Sequence, residues 1–528
     1  MKISPMAALA AVMLTSTAPA QGLDGPTQVE LDKAEVSQEW LLPHHDYMGQ
    51  RFVGLRQITR ATAPSLRPVC LYQAGDQNSF ATNPLVYRGI LYFTTGIGTI
   101  ALDAATCKLR WRHDWKAKAK ETFPRSRGAA LKDGKVIRGT DDGYLIALDA
   151  DSGVLLWERP VADPEKYEQF SMAPLVYEDL VVIGPAIGEQ GKGWLGAFRL
   201  DNGEPVWRFN TVPDPGEPGA ETWDNVEALQ HGGGSVWTTP TLDRATGLLY
   251  VPVGNPTPMY YGAARPSANL YTSGLVVLDA RTGKLKWYKQ VVPHDTHDWD
   301  LSVVGPLFTA EAGGAPRRLL TIAGKDGLLR VLDKETREEL YSVAVATRSN
   351  HEIEPTEDGV HTCPGSSGGA LWSTPALDPK HKMLFIASVD WCGVFKKAEE
   401  LRFIPGQFYM GGSYTPDPVE KSCGWLTAID AATGAIRWRY ESTRPLLAAV
   451  TVTASDVLFT GELTGDFLAI DATDGKVLYR FYTGGPITGG VISYATRGRQ
   501  YVAAASGATT AYWRAPGGAA TIVVFSLP

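Results

Sequence analysis

The chain has few cysteines, and none of them forms a haem-attachment or zinc-binding motif. Only five occur among 528 residues, and no pair has the spacing Cys-x-x-Cys. This excludes haem attached through Cys-x-x-Cys-His and a cysteine-based zinc knuckle. In an exported chain, five cysteines permit two disulfides. The pairs we predict are Cys70–Cys107, within the first repeat, and Cys363–Cys392, which brackets a hairpin, so that Cys423 is left over.

Long apolar runs are missing after residue 20, and so is any excess of positive charge. The net charge of −7 excludes the basic footprint of a nucleic-acid-binding protein. Residues 1–20, MKISPMAALAAVMLTSTAPA, combine one lysine, an apolar run and Ala-Pro-Ala, which is the pattern of a cleaved secretory signal. No later stretch reaches the length of a transmembrane helix. We therefore expect a mature protein of residues 21–528, soluble and located in the periplasm.

Helical periodicity is also missing, whereas glycine and tryptophan are abundant, at 55 and 15 residues. One pattern recurs seven times: apolar residues, Asp, a short turn usually containing Gly, a second strand, and Trp or Tyr. Its physical basis is local, because Asp caps the turn and Gly takes the left-handed position that closes a hairpin. The copies are IALDAATCKLRW (100–111), IALDADSGVLLW (146–157), GAFRLDNGEPVW (196–207), VVLDARTGKLKW (276–287), RVLDKETREELY (330–341), TAIDAATGAIRW (427–438) and LAIDATDGKVLY (468–479).

The spacing of the final aromatic residues predicts a β-propeller. Steps of 41, 46, 50 and 54 residues each fit one four-stranded blade. The step of 80 holds an insertion, and the step of 97 predicts a further, degenerate repeat at 374–390. Seven copies plus one give eight blades, and a closed ring leaves no exposed sheet edge. The end of the chain, TIVVFSLP (521–528), is predicted to complete the ring with help from the N-terminal segment.

We thus predict an all-β protein in which residues 21–528 form a single eight-bladed propeller domain. A β-helix is disfavoured because the period is too long, and tandem sandwiches because the aromatic repeat is too regular.

Segment 232–300 carries groups that a β-hairpin does not need. Asn255 follows a strand within Gly-Asn-Pro, Trp237 follows a glycine-rich stretch, and Asp298 and Asp300 flank a tryptophan. On an extended segment, residues two apart face the same side, so both carboxylates are expected on one face. An amide, a flat aromatic ring and two carboxylates suit a hard cation and a planar ligand.

Ten segments, taken in order, carry a resemblance to a known family. They are EWLLPHHDYMGQRFVGLRQI (39–58), PRSRGAAL (124–131), SMAPLVYEDLVVIGPAIGEQG (171–191), GGGSVWTTPTLD (232–243), LLYVPVGNPTP (248–258), PHDTHDWD (293–300), TIAGKDGLLRVLD (321–333), CPGSSGGALW (363–372), GWLTAIDAATG (424–434) and VLFTGELTGDFLAIDATDGKVLY (457–479). Each segment alone is weak evidence, but the ordered set is specific and covers nearly the whole mature chain. The set resembles the pyrroloquinoline-quinone (PQQ) dependent alcohol dehydrogenases, specifically soluble ethanol- or methanol-type quinoproteins without a fused cytochrome.

The resemblance implies one metal ion, bound by oxygen ligands. Glu189, Asn255 and Asp298 match metal ligands of the family, and Asp298 also matches the general base that takes the alcohol proton as hydride passes to the quinone. Asp300 lies where a second carboxylate distinguishes lanthanide-dependent members from calcium-dependent ones. Three carboxylates balance a trivalent ion and over-compensate a divalent one, which favours a lanthanide over Ca²⁺. The alternative is that Asp300 turns away into a hairpin bond and leaves a calcium site.

The resemblance also implies a PQQ site. Trp237 matches the indole that stacks under the cofactor, Arg127 and Ser171 match groups that hold its carboxylates, and Lys325 matches the cation beside the quinone oxygens. Lys325 is thereby expected to take part in catalysis as well as in binding.

Four departures from the family pattern are expected to alter cofactor affinity and substrate range more than reaction type. Residues 112–126 contain no cysteine, although the family has an adjacent cysteine pair there that covers the other face of PQQ. Ala81 replaces a glutamate near a cofactor carboxylate, Leu371 an asparagine that contacts the quinone, and Leu447 a tryptophan.

Every candidate residue also has a purely structural interpretation. A single Asn or Glu in a propeller loop is more often a turn residue, Trp237 alone would be inter-blade packing, and Lys325 fits a hairpin turn. Only the joint occurrence of the four candidate metal ligands in family order favours a catalytic site.

Two other functions stay open. A non-catalytic propeller, such as the outer-membrane assembly lipoprotein that shares this repeat, is disfavoured because the first cysteine is Cys70 and no lipid-anchor cysteine follows the apolar run. A quinoprotein that acts on a sugar or a polymer alcohol is the second. Because no haem motif is present, we expect a separate electron acceptor, a soluble cytochrome c.

Overall fold

The computed structural model describes residues 24–528 apart from 77, 122–123, 188–190, 225 and 406. The predicted signal segment 1–20 therefore lies outside the described residues. In the described part the α-helices are Gln28–Leu31 and Val226–Gln230, and neither is long and apolar enough to cross a membrane. Short 3₁₀ turns occur at Ala34–Val36, Ala63–Ser65, Pro164–Lys166, Ala220–Thr222, Gly262–Ala264, Val419–Lys421 and Ala511–Trp513.

The rest of the regular structure in these described ranges is β, as predicted, and eight of the sheets found there have four or five strands. We number these sheets as blades 1 to 8 in chain order. The antiparallel strands are Leu85–Tyr87, Ile90–Thr94, Gly98–Asp103 and Leu109–Asp114 in blade 1; Ala130–Lys132, Lys135–Gly139, Tyr144–Asp149 and Leu155–Pro160 in blade 2; Leu175–Tyr177, Leu180–Ile183, Trp194–Arg199 and Pro205–Asn210 in blade 3; Thr241–Asp243, Leu248–Val253, Gly274–Asp279 and Leu285–Gln290 in blade 4; Leu301–Ala312, Ala315–Gly324, Leu328–Asp333 and Glu339–Ala344 in blade 5; Ala376–Asp378, Met383–Asp390, Cys423–Asp430 and Ile436–Ser442 in blade 6; Thr451–Thr453, Val457–Gly461, Asp466–Asp471 and Val477–Tyr482 in blade 7; and Ile487–Thr496, Arg499–Ser506, Thr521–Ser526 and Arg67–Gln73 in blade 8.

The predicted degenerate repeat at 374–390 is not a blade of its own. Its two strands, Ala376–Asp378 and Met383–Asp390, form one sheet with the two strands of the sixth repeat copy. The long step in the sequence instead contains insertions, among them the three-stranded sheet Val360–Thr362, Gly393–Lys397 and Gly412–Pro416. The prediction of a separate blade here was wrong because long insertions and a missing repeat produce the same spacing.

Both chain ends build blade 8. The strand Arg67–Gln73 pairs antiparallel with Thr521–Ser526, so the C-terminal strand completes the ring with an N-terminal strand, as predicted. Phe52–Val53 adds a parallel strand to blade 7. The predicted disulfides Cys70–Cys107 and Cys363–Cys392 are both present, and Cys423 is free.

Each repeat aromatic packs against the next blade. The Nε1–H of Trp207 in blade 3 donates to the carbonyl of Ala280 in blade 4 at 3.1 Å. Its ring lies over Gly283, where an added Cβ would come within 2.5 Å of the indole. Gly283 has φ of 67°, so one residue must supply both a left-handed turn and the space for a neighbouring ring.

The remaining strands lie outside the blades. Ser126–Gly128 pairs parallel with Phe80–Asn83, and Glu168–Gln169 pairs with Ala186–Ile187. The first of these pairs places two separate stretches of chain, around residues 81 and 127, side by side at the wall of a cavity that most of the predicted site residues line.

Candidate functional site

Six of the eight predicted site residues line one cavity of about 270 Å³; they are Arg127, Trp237, Asn255, Asp298, Asp300 and Lys325. Ser171 lies behind this wall, where its hydroxyl accepts a hydrogen bond from Arg127 at 2.7 Å. Glu189 lies outside the described residues, so its predicted role as a metal ligand stays a prediction.

One end of the cavity is acidic. The ammonium of Lys325 lies 3.1 Å from Oδ2 of Asp298 and 2.8 Å from Oδ2 of Asp300. Burial raises the pKa of Asp298 to about 7, an effect that the charge of Lys325 opposes and the charge of Asp300 adds to. Burial disfavours the charge of Lys325, but the two carboxylates outweigh it and raise its pKa above the ordinary value. Lys325 therefore stays charged and forms an ion pair with each of the two aspartates.

The loop that carries Asp298 is not simply extended. Asp298 has φ of 60°, in the left-handed region, so alternation along a strand does not account for its orientation. The buried carboxylate of Asp295 holds the loop by accepting the backbone N–H of His297 at 2.9 Å and of Trp299 at 2.8 Å. These bonds fix the two residues that flank Asp298. The carboxylates of Asp298 and Asp300 do line the same cavity, but through a loop conformation that the sequence did not predict.

Asn255 is oriented by two hydrogen bonds. Its backbone N–H donates to Oδ1 of Asp300 at 2.7 Å, and its side-chain Nδ2 donates to the carbonyl of Pro256 at 3.0 Å. The amide oxygen is consequently the atom left for a ligand. Gly254 permits this close approach, because a Cβ there would lie 2.7 Å from Oδ1 of Asp300.

The other end of the cavity is cationic and aromatic. The guanidinium of Arg127 lies between two indoles, 4.8 Å from the ring centroid of Trp237 and 5.1 Å from that of Trp372. Burial lowers the pKa of Arg127 well below its ordinary value, and the nearby Arg125 lowers it further. Within the described residues, Nε of Arg127 is buried without a hydrogen-bond partner. A buried cation with an unused donor between flat rings fits a planar anion.

The oxygen donors at the acidic end fit a hard cation. The amide of Asn255 and the carboxylates of Asp298 and Asp300 are the ligand types that calcium and similar ions take. The donor chemistry at the two ends of the cavity is thus compatible with a metal ion and with the carboxylates of a planar ligand, and the individual roles of these residues stay predictions.

Sequence reasoning missed several groups. The hydroxyl of Ser366 donates to Oδ2 of Asp298 at 2.6 Å, and Asp295 supports the loop before it. Ser366 stands within CPGSSGGALW, and a serine in a glycine-rich loop has no sequence signal that separates a hydrogen-bond donor from a turn residue. Arg125, Trp372, Tyr512 and Trp513 also line the cavity.

The predicted departures fall in or beside the cavity. Ala81 and Leu371 are lining residues. Leu447 is not among them, but it is buried in an apolar cluster with Leu371, Trp391 and Trp513. This cluster connects Leu447 to the cavity through the lining residues Leu371 and Trp513.

Comparison with known proteins places these features in a family. The profile described as glucose/ethanol/alcohol dehydrogenase, β-propeller domain, of the PQQ type, matches residues 40–354. A second profile, described as outer membrane protein assembly factor BamB, matches residues 422–519.

Individual relatives agree with the first profile. The quinohemoprotein alcohol dehydrogenase ADH IIB of Pseudomonas putida is 30% identical over 89% of this chain and 73% of its own length. The putative dehydrogenase XoxF of Paracoccus denitrificans is 28% identical over 89% of this chain and 87% of its own. Among solved structures, a europium-containing methanol dehydrogenase superposes with a TM-score of 0.87 at 25% identity, covering 94% of this chain and all 100% of that one.

Proposed function

Since the chain belongs to the PQQ-dependent alcohol dehydrogenases, a family of β-propeller oxidoreductases, we propose how its own residues perform the oxidation of an alcohol. One observation carries the assignment. A single cavity joins two buried aspartates and an asparagine at one end to a buried arginine between indoles at the other.

At the cationic end, Arg127 would hold a carboxylate of PQQ, with Ser171 fixing the guanidinium, and Trp237 would support the flat ring. At the acidic end, Asn255, Asp298, Asp300 and Glu189 would hold the metal. When bound, PQQ would supply the hydride acceptor, and the metal would supply a Lewis acid to polarise the quinone carbonyl.

Asp298 is the proposed general base. Its Oδ2 accepts hydrogen bonds from Ser366 and Lys325, which fix the carboxylate in the cavity. Burial raises the pKa of this carboxyl to about 7, and a general base works best when its pKa lies near the working pH. Lys325 keeps Asp298 and Asp300 side by side and would contact the quinone oxygens.

For the metal we favour a lanthanide, with Ca²⁺ as the alternative. Asp300 does line the cavity, but one of its oxygens is occupied by the N–H of Asn255 and the other by Lys325. The positive charge of Lys325 offsets one carboxylate, which reduces the electrostatic preference for a trivalent ion. Activity restored to metal-stripped protein by each ion separately distinguishes the two metals.

We further propose that residues 21–528 act as one propeller domain in the periplasm after removal of residues 1–20. A soluble cytochrome c would take the electrons. A sugar or polymer alcohol is the alternative substrate class, and a non-catalytic scaffold would leave the buried arginine and aspartates of the cavity without a role.

The test is reconstitution of metal-stripped protein with PQQ and a metal, followed by dye reduction over a panel of alcohols and sugars. Asp298→Asn should lower kcat by about 10²–10⁴-fold, because it removes the base and keeps the shape. Asp214→Asn, a solvent-exposed carboxylate, is the matched control and should leave kcat unchanged. A near wild-type rate for Asp298→Asn at saturating PQQ and metal would show that another group is the base.

A further inference from the structure

The wall that carries Arg127 presents a second arginine to the same cavity. Arg125 immediately precedes the strand Ser126–Gly128, which carries Arg127, so the two arginines stand two residues apart at the start of one strand. Both line the cavity, and Arg125 is close enough to lower the pKa of Arg127, although burial is the larger cause. Two guanidinium groups therefore converge on one partly desolvated space.

The described lining of the cavity carries its acids at the opposite end. These carboxylates are Asp298 and Asp300, and both are ion-paired with Lys325. The parallel partner strand Phe80–Asn83 brings Ala81 to the same wall as the arginines, so this lining position has a methyl group instead of an acid. Two cationic side chains on one wall favour a ligand that carries more than one negative charge.

We propose that Arg125 is a second anchor for the carboxylates of the bound cofactor, working as a pair with Arg127. The inference rests on the proposed function, since it takes PQQ, a tricarboxylate, as the ligand. Two neighbouring guanidinium groups on one wall can bind two carboxylates of the same ligand, or share one of them. This electrostatic attraction would compensate for the stacking surface that an adjacent cysteine pair gives other members of the family.

The experiment measures PQQ binding rather than turnover. Metal-loaded apoprotein is titrated with PQQ, and quenching of tryptophan fluorescence gives Kd at several salt concentrations. Arg125→Met should raise Kd by about tenfold or more, as expected for the loss of a charge-assisted hydrogen bond. It should also flatten the dependence of Kd on salt, which loss of packing alone would not do.

Three variants act as controls. Arg125→Lys keeps the charge and should stay closer to the wild type in Kd and in salt dependence. Arg110→Met removes an exposed arginine from the outer strand of blade 1 and should bind PQQ as the wild type does. Arg125→Gln repeats the test if the methionine variant does not fold.

The outcomes separate the inference from the proposed function. If Arg125→Met and Arg125→Gln bind PQQ with wild-type Kd and salt dependence, Arg125 is not an anchor, while the proposed function stands. If wild-type protein binds no PQQ in the presence of Ca²⁺ or La³⁺, the proposed function fails and this inference fails with it.

Discussion

The single carboxylate of Asp300 takes part in three interactions at the site. It accepts the backbone N–H of Asn255 at 2.7 Å, pairs with Lys325 at 2.8 Å, and lines the cavity as a candidate metal ligand. The hydrogen bond to Asn255 means that Asp300 also positions another candidate ligand. Its removal should therefore affect the metal site in two ways.

Asp300→Ala is expected to weaken binding of La³⁺ more than that of Ca²⁺, because a trivalent ion loses more from a missing negative charge. Activity of metal-stripped protein, titrated separately with each ion at saturating PQQ, measures the difference. Asp214→Asn controls for loss of a remote carboxylate. Restoration of wild-type activity by Ca²⁺ but not by La³⁺ would reject the lanthanide, and Asp300→Ala should then weaken Ca²⁺ binding through the lost charge and the lost hydrogen bond to Asn255.

His44 should make stability depend on pH. Burial lowers its pKa to about 3, with a smaller contribution from the charge of Arg51, and within the described residues its Nε2 has no hydrogen-bond partner. In the unfolded chain His44 binds a proton near its ordinary pKa of about 6.5, whereas in the folded protein it stays neutral down to about pH 3. The protein therefore keeps its full stability above pH 6.5 and loses stability as the pH falls from 6.5 toward 3. At pH 5 the free energy of unfolding should be about 2 kcal/mol lower than above pH 6.5 for this reason alone.

Denaturant unfolding of the apoprotein from pH 7 to pH 5 measures this loss. In His44→Gln the pH dependence should be flatter by about 2 kcal/mol, although the variant is less stable overall. His351→Gln, at a half-buried histidine in a surface turn, serves as control and should keep the wild-type slope. Equal slopes in wild type and His44→Gln would mean that His44 does not set the acid sensitivity.

The sequence could predict residues of the candidate site where several of them occur in the order typical of the family, as Asn255, Asp298 and Asp300 do. The groups that support them could not. Asp295 acts through two backbone N–H groups, and Ser366 comes from a segment 68 residues away from Asp298, so each depends on a tertiary arrangement that no local pattern encodes.

At the scale of elements, the repeat joins turn chemistry to packing. In blade 4, Gly247 and Gly283 both close hairpin turns with positive φ, at 68° and 67°. They differ in surroundings: a Cβ at Gly283 would lie 2.5 Å from Trp207, whereas a Cβ at Gly247 would meet nothing within 4 Å. The pair separates backbone strain from the cost of displacing a neighbouring ring.

Gly283→Ala should therefore destabilise the protein by about 1–3 kcal/mol more than Gly247→Ala, since the former adds overpacking to the same left-handed strain. Thermal and denaturant unfolding measure both variants. Equal destabilisation would mean that the ring relaxes without cost.

The repeat allowed the sequence to predict most blades, but not the boundary of blade 6. Ala376–Asp378 and Met383–Asp390 lack a terminal tryptophan because they are the inner half of a blade whose outer half is the copy at 427–438. Between these halves the chain inserts two strands of a separate small sheet, whose third strand, Val360–Thr362, precedes the blade. Spacing along the sequence cannot separate an inserted sheet from an extra blade.

At the scale of the whole molecule, the ring has one seam where its two chain ends meet. Blade 8 takes three strands from the C-terminal region and its fourth, Arg67–Gln73, from the N-terminal region. Cys70 in that fourth strand is bonded to Cys107, in the hairpin turn of blade 1. The disulfide thus ties the last blade to the first, whereas Cys363 and Cys392 lie next to two paired strands of the small inserted sheet.

Loss of the Cys70–Cys107 bond should loosen the seam specifically. The chain-entropy estimate for a crosslink of 37 residues is about 4 kcal/mol, and that for the 29-residue crosslink Cys363–Cys392 is nearly equal, so global stability alone does not distinguish them. Hydrogen exchange of individual amides distinguishes the two disulfides.

In Cys70→Ala/Cys107→Ala, amides of Arg67–Gln73 and Thr521–Ser526 should exchange faster. Within the described residues, Arg67–Gln73 pairs with no strand other than Thr521–Ser526, so little else holds it in place. In Cys363→Ala/Cys392→Ala those amides should keep wild-type protection while Val360–Thr362 and Gly393–Lys397 exchange faster. If the seam amides stayed equally protected in both double variants, strand pairing alone would close the ring and the disulfide would contribute nothing local.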